Sequence, residues 1–301
     1  MIKALETPFL IKPKSNFKIA NAETTPAESA KNKPIKSLLK KELKQLRREI
    51  GKLQHQLFAE DKNSLLLIFQ AMDAAGKDST IRAVLSGVNP AGCHVSSFKK
   101  PSAEELDHDF LWRSAIRLPE RGRIGVFNRS YYEETLVVRV HPNYLRYQRL
   151  ADLPADLSEG NMQDFWEQRF ESIRDHEKHL VRNGTTIIKF WLNVSLDEQK
   201  RRFLSRLNAP EKNWKFSADD LKERALWDDY MKAYEETINA TSTESAPWYA
   251  IPADNKAFMR VEVARTILET LKTMSPQYPT VDEKELAKFS EMRQLLKKEN
   301  N

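Results

Sequence analysis

The chain has a single cysteine, Cys93, in 301 residues, so no internal disulfide can form and a disulfide-stapled secreted scaffold is excluded. Glycine is scarce as well, with 8 in all, so a Gly-Lys pair directly after an apolar run stands out from the background. No run approaches the ~18 apolar residues of a membrane span, and the opening MIKALETPFLIKPKSNF has no apolar segment of signal-peptide length. The expectation is a cytoplasmic protein without a membrane partner. Nor is there a strong excess of one charge: 49 Lys and Arg face 43 Asp and Glu, a net charge of +6. Such an excess suits a polyanionic partner, but surface composition alone accounts for it equally well.

The most informative stretch is Leu65 to Asp78, LLLIFQAMDAAGKD. An apolar, strand-like run stops at a small-residue loop, and an amphipathic stretch begins at Lys77. That order suits a phosphate-binding loop. Small residues (Ala74, Ala75, Gly76) let backbone N–H groups curl around phosphate oxygens, the helix N-terminus carrying Ser79 adds its positive end, and Lys77 supplies a mobile cation. Against the pattern G-x-x-x-x-G-K-[ST], Ala71 replaces the first glycine and Asp78 the magnesium-binding hydroxyl residue. Asp73 places a carboxylate inside the loop. These departures point away from an ordinary ATPase.

Residues 1–34 are polar and proline-dotted and read as an N-terminal arm. From Ile35 onward, Leu39, Leu43, Leu46, Ile50, Leu53 and Leu57 recur at threes and fours, the stripe of one amphipathic helix. Its other face (Lys40, Lys44, Arg47, Arg48) is either a solvated surface, an oligomer contact or an electrostatic lead-in to the site. Five strand-like runs follow, at 65–69, 94–98, 123–127, 185–192 and 248–251, alternating with helices opened by Ser102-x-x-Glu105, Ser195-x-x-Glu198 and the looser Ser217-x-x-Asp220. That alternation predicts a parallel sheet with helices on both faces and a ligand at the carboxyl ends of the strands. Residues 281–301 predict a C-terminal helical tail.

Three further groups fall at the same sheet edge. Asn128-Arg129-Ser130-Tyr131-Tyr132-Glu133-Glu134 follows the third strand run, where a phosphotransferase of such a fold places its second metal-directed group. Lys99 and Lys100 follow the second run and are positioned to steer an anion or merely decorate the surface. Arg202 and Arg206, four apart on one helix face, suit a segment that closes over phosphates, with Asn208-Ala209-Pro210 as its hinge. Arg82, five residues past Lys77, comes within reach of a long phosphate chain. His176 and His179 share a helix face without a third metal ligand in view, His141 reads as structural or as lying at the edge of the site, and Cys93 as a buried small apolar residue. The six tryptophans are scattered and form no base-stacking ladder, so no nucleic acid partner is expected.

Five blocks together, MDAAGKD at 72–78, SGVNPAG at 86–92, FNRSYYEETLVVRVHP at 127–142, EKNWKF at 211–216 and STESAPWYAIPADNK at 242–256, resemble the second family of polyphosphate kinases. The Asn-Arg-Ser-Tyr form of the second motif is similar to the subgroup called class III. The resemblance implies a three-layer α/β/α P-loop kinase fold over 35–280, which with the five runs gives a five-stranded, mostly parallel sheet and a helical lid at about 200–230. It implies transfer of the terminal phosphate of inorganic polyphosphate to AMP and ADP, forming ADP and ATP, with Mg²⁺ or Mn²⁺ as cofactor, in a homo-oligomer. By similarity Asp73 and Lys77 belong to the Walker A loop, Arg129 to the Walker B segment, and Arg202 and Arg206 to the lid. Asn128 and Tyr132 fall in the nucleotide- and phosphate-binding set. Other subgroups carry aspartate where Asn128 stands, so the charge that organises the metal falls to Asp73 with Glu133 or Glu134, or to the bound phosphates. Two rival readings remain: an ATP-dependent nucleoside monophosphate kinase of the same fold, and a non-catalytic P-loop protein that grips nucleic acid with its basic helix.

Overall fold

The computed structural model describes residues 4–26 and 33–299. The arm expected at 1–34 and the tail expected to reach 301 therefore lie partly outside the described residues.

Six strands form one sheet: β1 (Leu10–Ile11), β2 (Ser64–Gln70), β3 (Cys93–Ser97), β4 (Ile124–Asn128), β5 (Thr185–Asn193) and β6 (Trp248–Pro252). Their order is β1-β6-β5-β2-β4-β3. The central strand, SLLLIFQ, is buried along its whole length, as its apolar run LLLIF must be when helices cover both faces. It pairs in parallel with β4 (Leu67 opposite Val126) and with β5 (Leu67 opposite Ile188). At β4 the chain can pass only as glycine. A Cβ on Gly125 would sit 2.9 Å from the ring of Pro119.

The expected five-stranded, mostly parallel sheet is thus corrected to a six-stranded mixed one. The sixth strand comes from the arm and runs antiparallel on β6, Leu10 opposite Tyr249. Two residues are too short to carry a period, and what fixes them is tertiary. Phe9 packs edge-on against Phe258 and Phe17 against Trp191, while the Asn239 amide accepts from Phe17 N–H at 2.7 Å and donates to its carbonyl at 2.8 Å.

The helices are α1 (Lys33–Glu60), α2 (Lys77–Val84), α3 (Ala103–Leu106), α4 (Trp112–Ala115), α5 (Val137–Val140) and α6 (Gln163–Arg182), then α7 (Leu196–Leu207), α8 (Asp219–Ala225), α9 (Trp227–Thr241), α10 (Lys256–Met274) and α11 (Glu283–Lys298). Helix α10 packs against both α1 and α2, and α6 packs against β5 and α9. The predicted stripe of α1 is the packed one, with Ile50 and Leu57 fully buried, each worth roughly 1.5–3 kcal/mol over exposure. Helix α7 begins where the capping pattern placed it. The Ser195 hydroxyl accepts from Glu198 N–H at 3.1 Å, and α7 ends at Leu207 with Ala209 extended before Pro210. With α8 it forms a helical lid at the carboxyl ends of the strands. Among the described residues no helix is long and apolar enough to cross a membrane.

Candidate active site

The strand order reverses at β2: β3 lies beyond β4 on one side, β5 and β6 on the other. Ligands of open α/β sheets bind at such a switch point, outside the carboxyl ends of the strands. There the loops after β2, β3 and β4, the first turn of α10 and one face of α7 enclose a cavity of about 690 Å³.

The loop after β2 turns sharply. Ala74 holds a left-handed φ of 60°, Gly76 one of 107°, and Ala75 N–H donates to Met72 O at 3.2 Å. Lys77 opens α2 and folds back, its ammonium donating to Ala71 O at 2.5 Å. Burial, then the neighbouring Arg129 charge, lowers its pKa to about 8. Asp78 takes a hydrogen bond from the Asn128 amide at 2.5 Å, which joins the first turn of α2 to the end of β4.

Arg129 also sits at a left-handed φ, 64°, a conformation non-glycine residues hold only when their surroundings enforce it. Its guanidinium bridges Asp73 at 2.9 Å and Glu133 at 3.3 Å. This pair also walls a smaller cavity of about 150 Å³, lined on its far side by Tyr230 and Tyr234.

Arg202 differs from the closing arginine expected on a lid. It is buried, and its nitrogens donate to Ala75 O and Ala253 O at 2.6 Å, to Ala74 O at 3.1 Å and to Glu198 at 2.6 Å. It ties α7 to the loop after β2. Arg206, one turn on, pairs with Asp220 of α8 at 3.6 Å and lies over the Phe203 ring. The Asp220 carboxyl is held above its ordinary pKa by burial and then by the Asp73 charge, which puts the lid within electrostatic reach of the loop.

Of the residues expected from sequence, the cavity gathers Asp73 to Ser79, Lys99, Lys100, Asn128, Arg129, Arg202 and Arg206. Glu133 reaches it only through Arg129. Three others do not line it. Arg82 stands on α2 beyond the cavity wall, since the helix carries it away from the loop. Tyr132 is fully buried, its hydroxyl donating to Glu177 at 2.7 Å. Glu134, expected as a metal ligand, points into the opposite layer, where it pairs with Arg169 at 2.9 Å. A short 3-10 turn over Tyr131–Glu134 sends successive side chains different ways, so a linear motif gives no warning of the split. Sequence reasoning missed Arg201, Ser205, Ser97, Phe98 and Lys256. For Lys256 there was a signal, its place at the start of a helix directly after the last strand.

Among the described residues there is no cluster of three or more His, Cys, Asp or Glu side chains able to hold a metal ion. Two hard-oxygen donors, Asp73 and Asp78, do face the cavity. That set fits Mg²⁺, which takes one or two carboxylates and completes its shell with phosphate oxygens and water. Cys93 is partly buried, and burial pushes its thiol up to about 11.

The profile of the Polyphosphate kinase 2 family matches residues 35–279. The chain is 54% identical over 249 residues to an ADP-polyphosphate phosphotransferase of Rhodopseudomonas palustris, covering 83% of this chain and 84% of that one. It is 45% identical over 234 residues to an AMP/ADP-polyphosphate phosphotransferase of Meiothermus ruber, covering 78% and 81%. The crystal structure of polyphosphate kinase 2 from Arthrobacter aurescens TC1 superposes with a TM-score of 0.80 at 37% identity, over 96% of this chain and 100% of that one.

Proposed function

The chain belongs to the polyphosphate kinase 2 family of phosphotransferases, and on that premise we propose that it moves the terminal phosphate of inorganic polyphosphate onto AMP and onto ADP, forming ADP and ATP. One observation carries the reading. Eight cationic side chains (Lys77, Lys99, Lys100, Arg129, Arg201, Arg202, Arg206, Lys256) and two carboxylates line a single cavity. A site built that way gathers two polyanions that would otherwise repel each other.

The chemistry follows from the groups present. A terminal phosphate oxygen of the nucleotide attacks the end phosphorus of the chain in line, the bond from that phosphorus to its bridging oxygen breaks, and the shortened polyphosphate leaves with the bridging oxygen as an anion. The attacking oxygen is already anionic near neutral pH, so alignment and charge neutralisation do the work and no strong base is required. Lys77 turns from Ala71 O to a phosphate oxygen when donor enters. Arg129, fixed by Asp73 and Glu133, presents its charge at the carboxyl end of β4. Arg206 closes with the lid segment, which we place at about 200–230 of a kinase domain spanning 35–280, while Arg202 holds the loop's carbonyls. Bound Mg²⁺, held through Asp73 and Asp78, would neutralise charge on the phosphates, and Mn²⁺ has the same donors open to it. The proposal includes a cytoplasmic location and a homo-oligomeric state, the latter measurable by sedimentation.

The test offers AMP or ADP, each with polyphosphate or with a non-adenine nucleoside triphosphate as donor, and follows each nucleotide in time. ATP from both acceptors with polyphosphate is expected. Product only with the triphosphate would make the protein a nucleoside monophosphate kinase, and product only from ADP would restrict the acceptor to the one in the Rhodopseudomonas relative's name. Asp73→Asn is expected to abolish transfer with the fold intact; near-normal turnover of that variant would sink the assignment.

A further inference from the structure

A fully buried ion pair lies beneath the second motif, outside the cavity. Lys189, on β5, has no exposed surface; its ammonium donates to Glu177 Oε2 at 2.6 Å, to the Tyr132 hydroxyl at 2.9 Å and to Thr241 O at 2.9 Å. The other carboxylate oxygen of Glu177, on α6, accepts from both motif phenols, Tyr131 at 2.9 Å and Tyr132 at 2.7 Å. The faces of Tyr132 and Trp248 flank the ammonium.

Packed apolar side chains would stabilise a core as well as such a pair, because desolvating two charges costs about as much as their attraction returns. What apolar packing cannot supply is direction. Glu177 takes hold of two consecutive residues at one point, and those residues directly follow the strained Arg129–Ser130 corner. Ser130 is pinned from the other side, its hydroxyl accepting from the Gln70 amide at 3.3 Å and from Tyr132 N–H at 3.1 Å. The corner is therefore clamped between the central strand and the buried carboxylate. Only Arg129 and Glu133 are left to face the loop.

We propose that Glu177 and Lys189 are positioning residues for phosphoryl transfer, acting through Tyr131 and Tyr132 to hold the Arg129 guanidinium against Asp73. The inference rests on the catalytic reading of Arg129 given above. It also reassigns Tyr132 from a ligand contact to a strut.

A double-mutant cycle on the full chain tests it. The combined Tyr131→Phe, Tyr132→Phe variant keeps the ring packing and removes both struts. Its kcat is expected to fall on the order of tenfold with KM for polyphosphate little changed, since a displaced guanidinium loses transition-state contacts first. In an Arg129→Lys background the same pair is expected to change the residual kcat by less than about twofold. Equal losses in both backgrounds, or no loss in either, would overturn the inference while leaving Arg129's role intact. Normal turnover by Arg129→Lys alone would instead overturn the reading of Arg129. Glu177→Gln, whose amide oxygen still accepts from the phenols, covers the case of a double variant that does not fold. It is expected to keep more kcat than Glu177→Leu at matched melting temperature, and equal kcat for the two would count against positioning.

Discussion

Lys77 carries the clearest pH signature. Its pKa of about 8 in the free protein reflects burial and the Arg129 charge, and a bound polyanion favours the protonated form. Binding above pH 8 therefore takes up a proton. Polyphosphate affinity is expected to be level below pH 8 and to weaken as pH rises through that value, by up to about tenfold per pH unit. Lys77→Arg should flatten the profile, and titration of Kd from pH 6.5 to 9.5 reads the difference. At Gly76, φ of 107° places any side chain in left-handed backbone. Gly76→Ala is expected to cost about 1–2 kcal/mol of stability, measured by chemical denaturation. The Gly-Lys pair was legible in the sequence because it is a local pattern. That Ala74 and Arg129 share the left-handed strain was not, because alanine and arginine carry no such preference and only their neighbours impose it.

Helix α7 shows the same division one level up. Its start was legible from Ser195 and Glu198, since capping is a contact between near neighbours. Ser195→Ala is expected to cost about 1 kcal/mol and to lower the melting temperature by about 2 °C. What the helix does was legible only in part. The spacing of Arg202 and Arg206 put both on one face, as observed, but sequence could not tell that one is buried against the backbone carbonyls of Ala74, Ala75, Ala253 and Asp254 and the other reaches Asp220 of α8. Arg202→Ala strands those carbonyls and is expected to destabilise the fold by about 3 kcal/mol, whereas Arg206→Ala should leave the melting temperature nearly unchanged and reduce kcat. Calorimetry beside steady-state kinetics separates the two. The motif after β4 divides similarly: Asn128 and Arg129 face the site, while Tyr132 and Glu134 serve the layers behind it.

Across the whole molecule, the arm's β1 closes one edge of the sheet, and Phe17 covers Trp191. Removing residues 1–26 should leave the switch-point cavity in place while exposing the β6 edge. A lower melting temperature and concentration-dependent aggregation are expected, with the kcat of the freshly prepared, unaggregated protein retained. Loss of kcat in well-folded, unaggregated protein would show that the arm also shapes the site.

By itself the sequence determined the strand–turn–helix order around Gly76 and Lys77, the alternation of strands and helices, and the caps, because each is written in residues a few positions apart. Only the tertiary structure decided the sixth strand, the burial of Arg202, the removal of Tyr132, Glu134 and Arg82 from the cavity, and the entry of Lys256. Those outcomes depend on which way a side chain points once distant segments pack, and on where a buried charge such as Lys189 finds its partners. Neither is encoded in the spacing of residues along the chain.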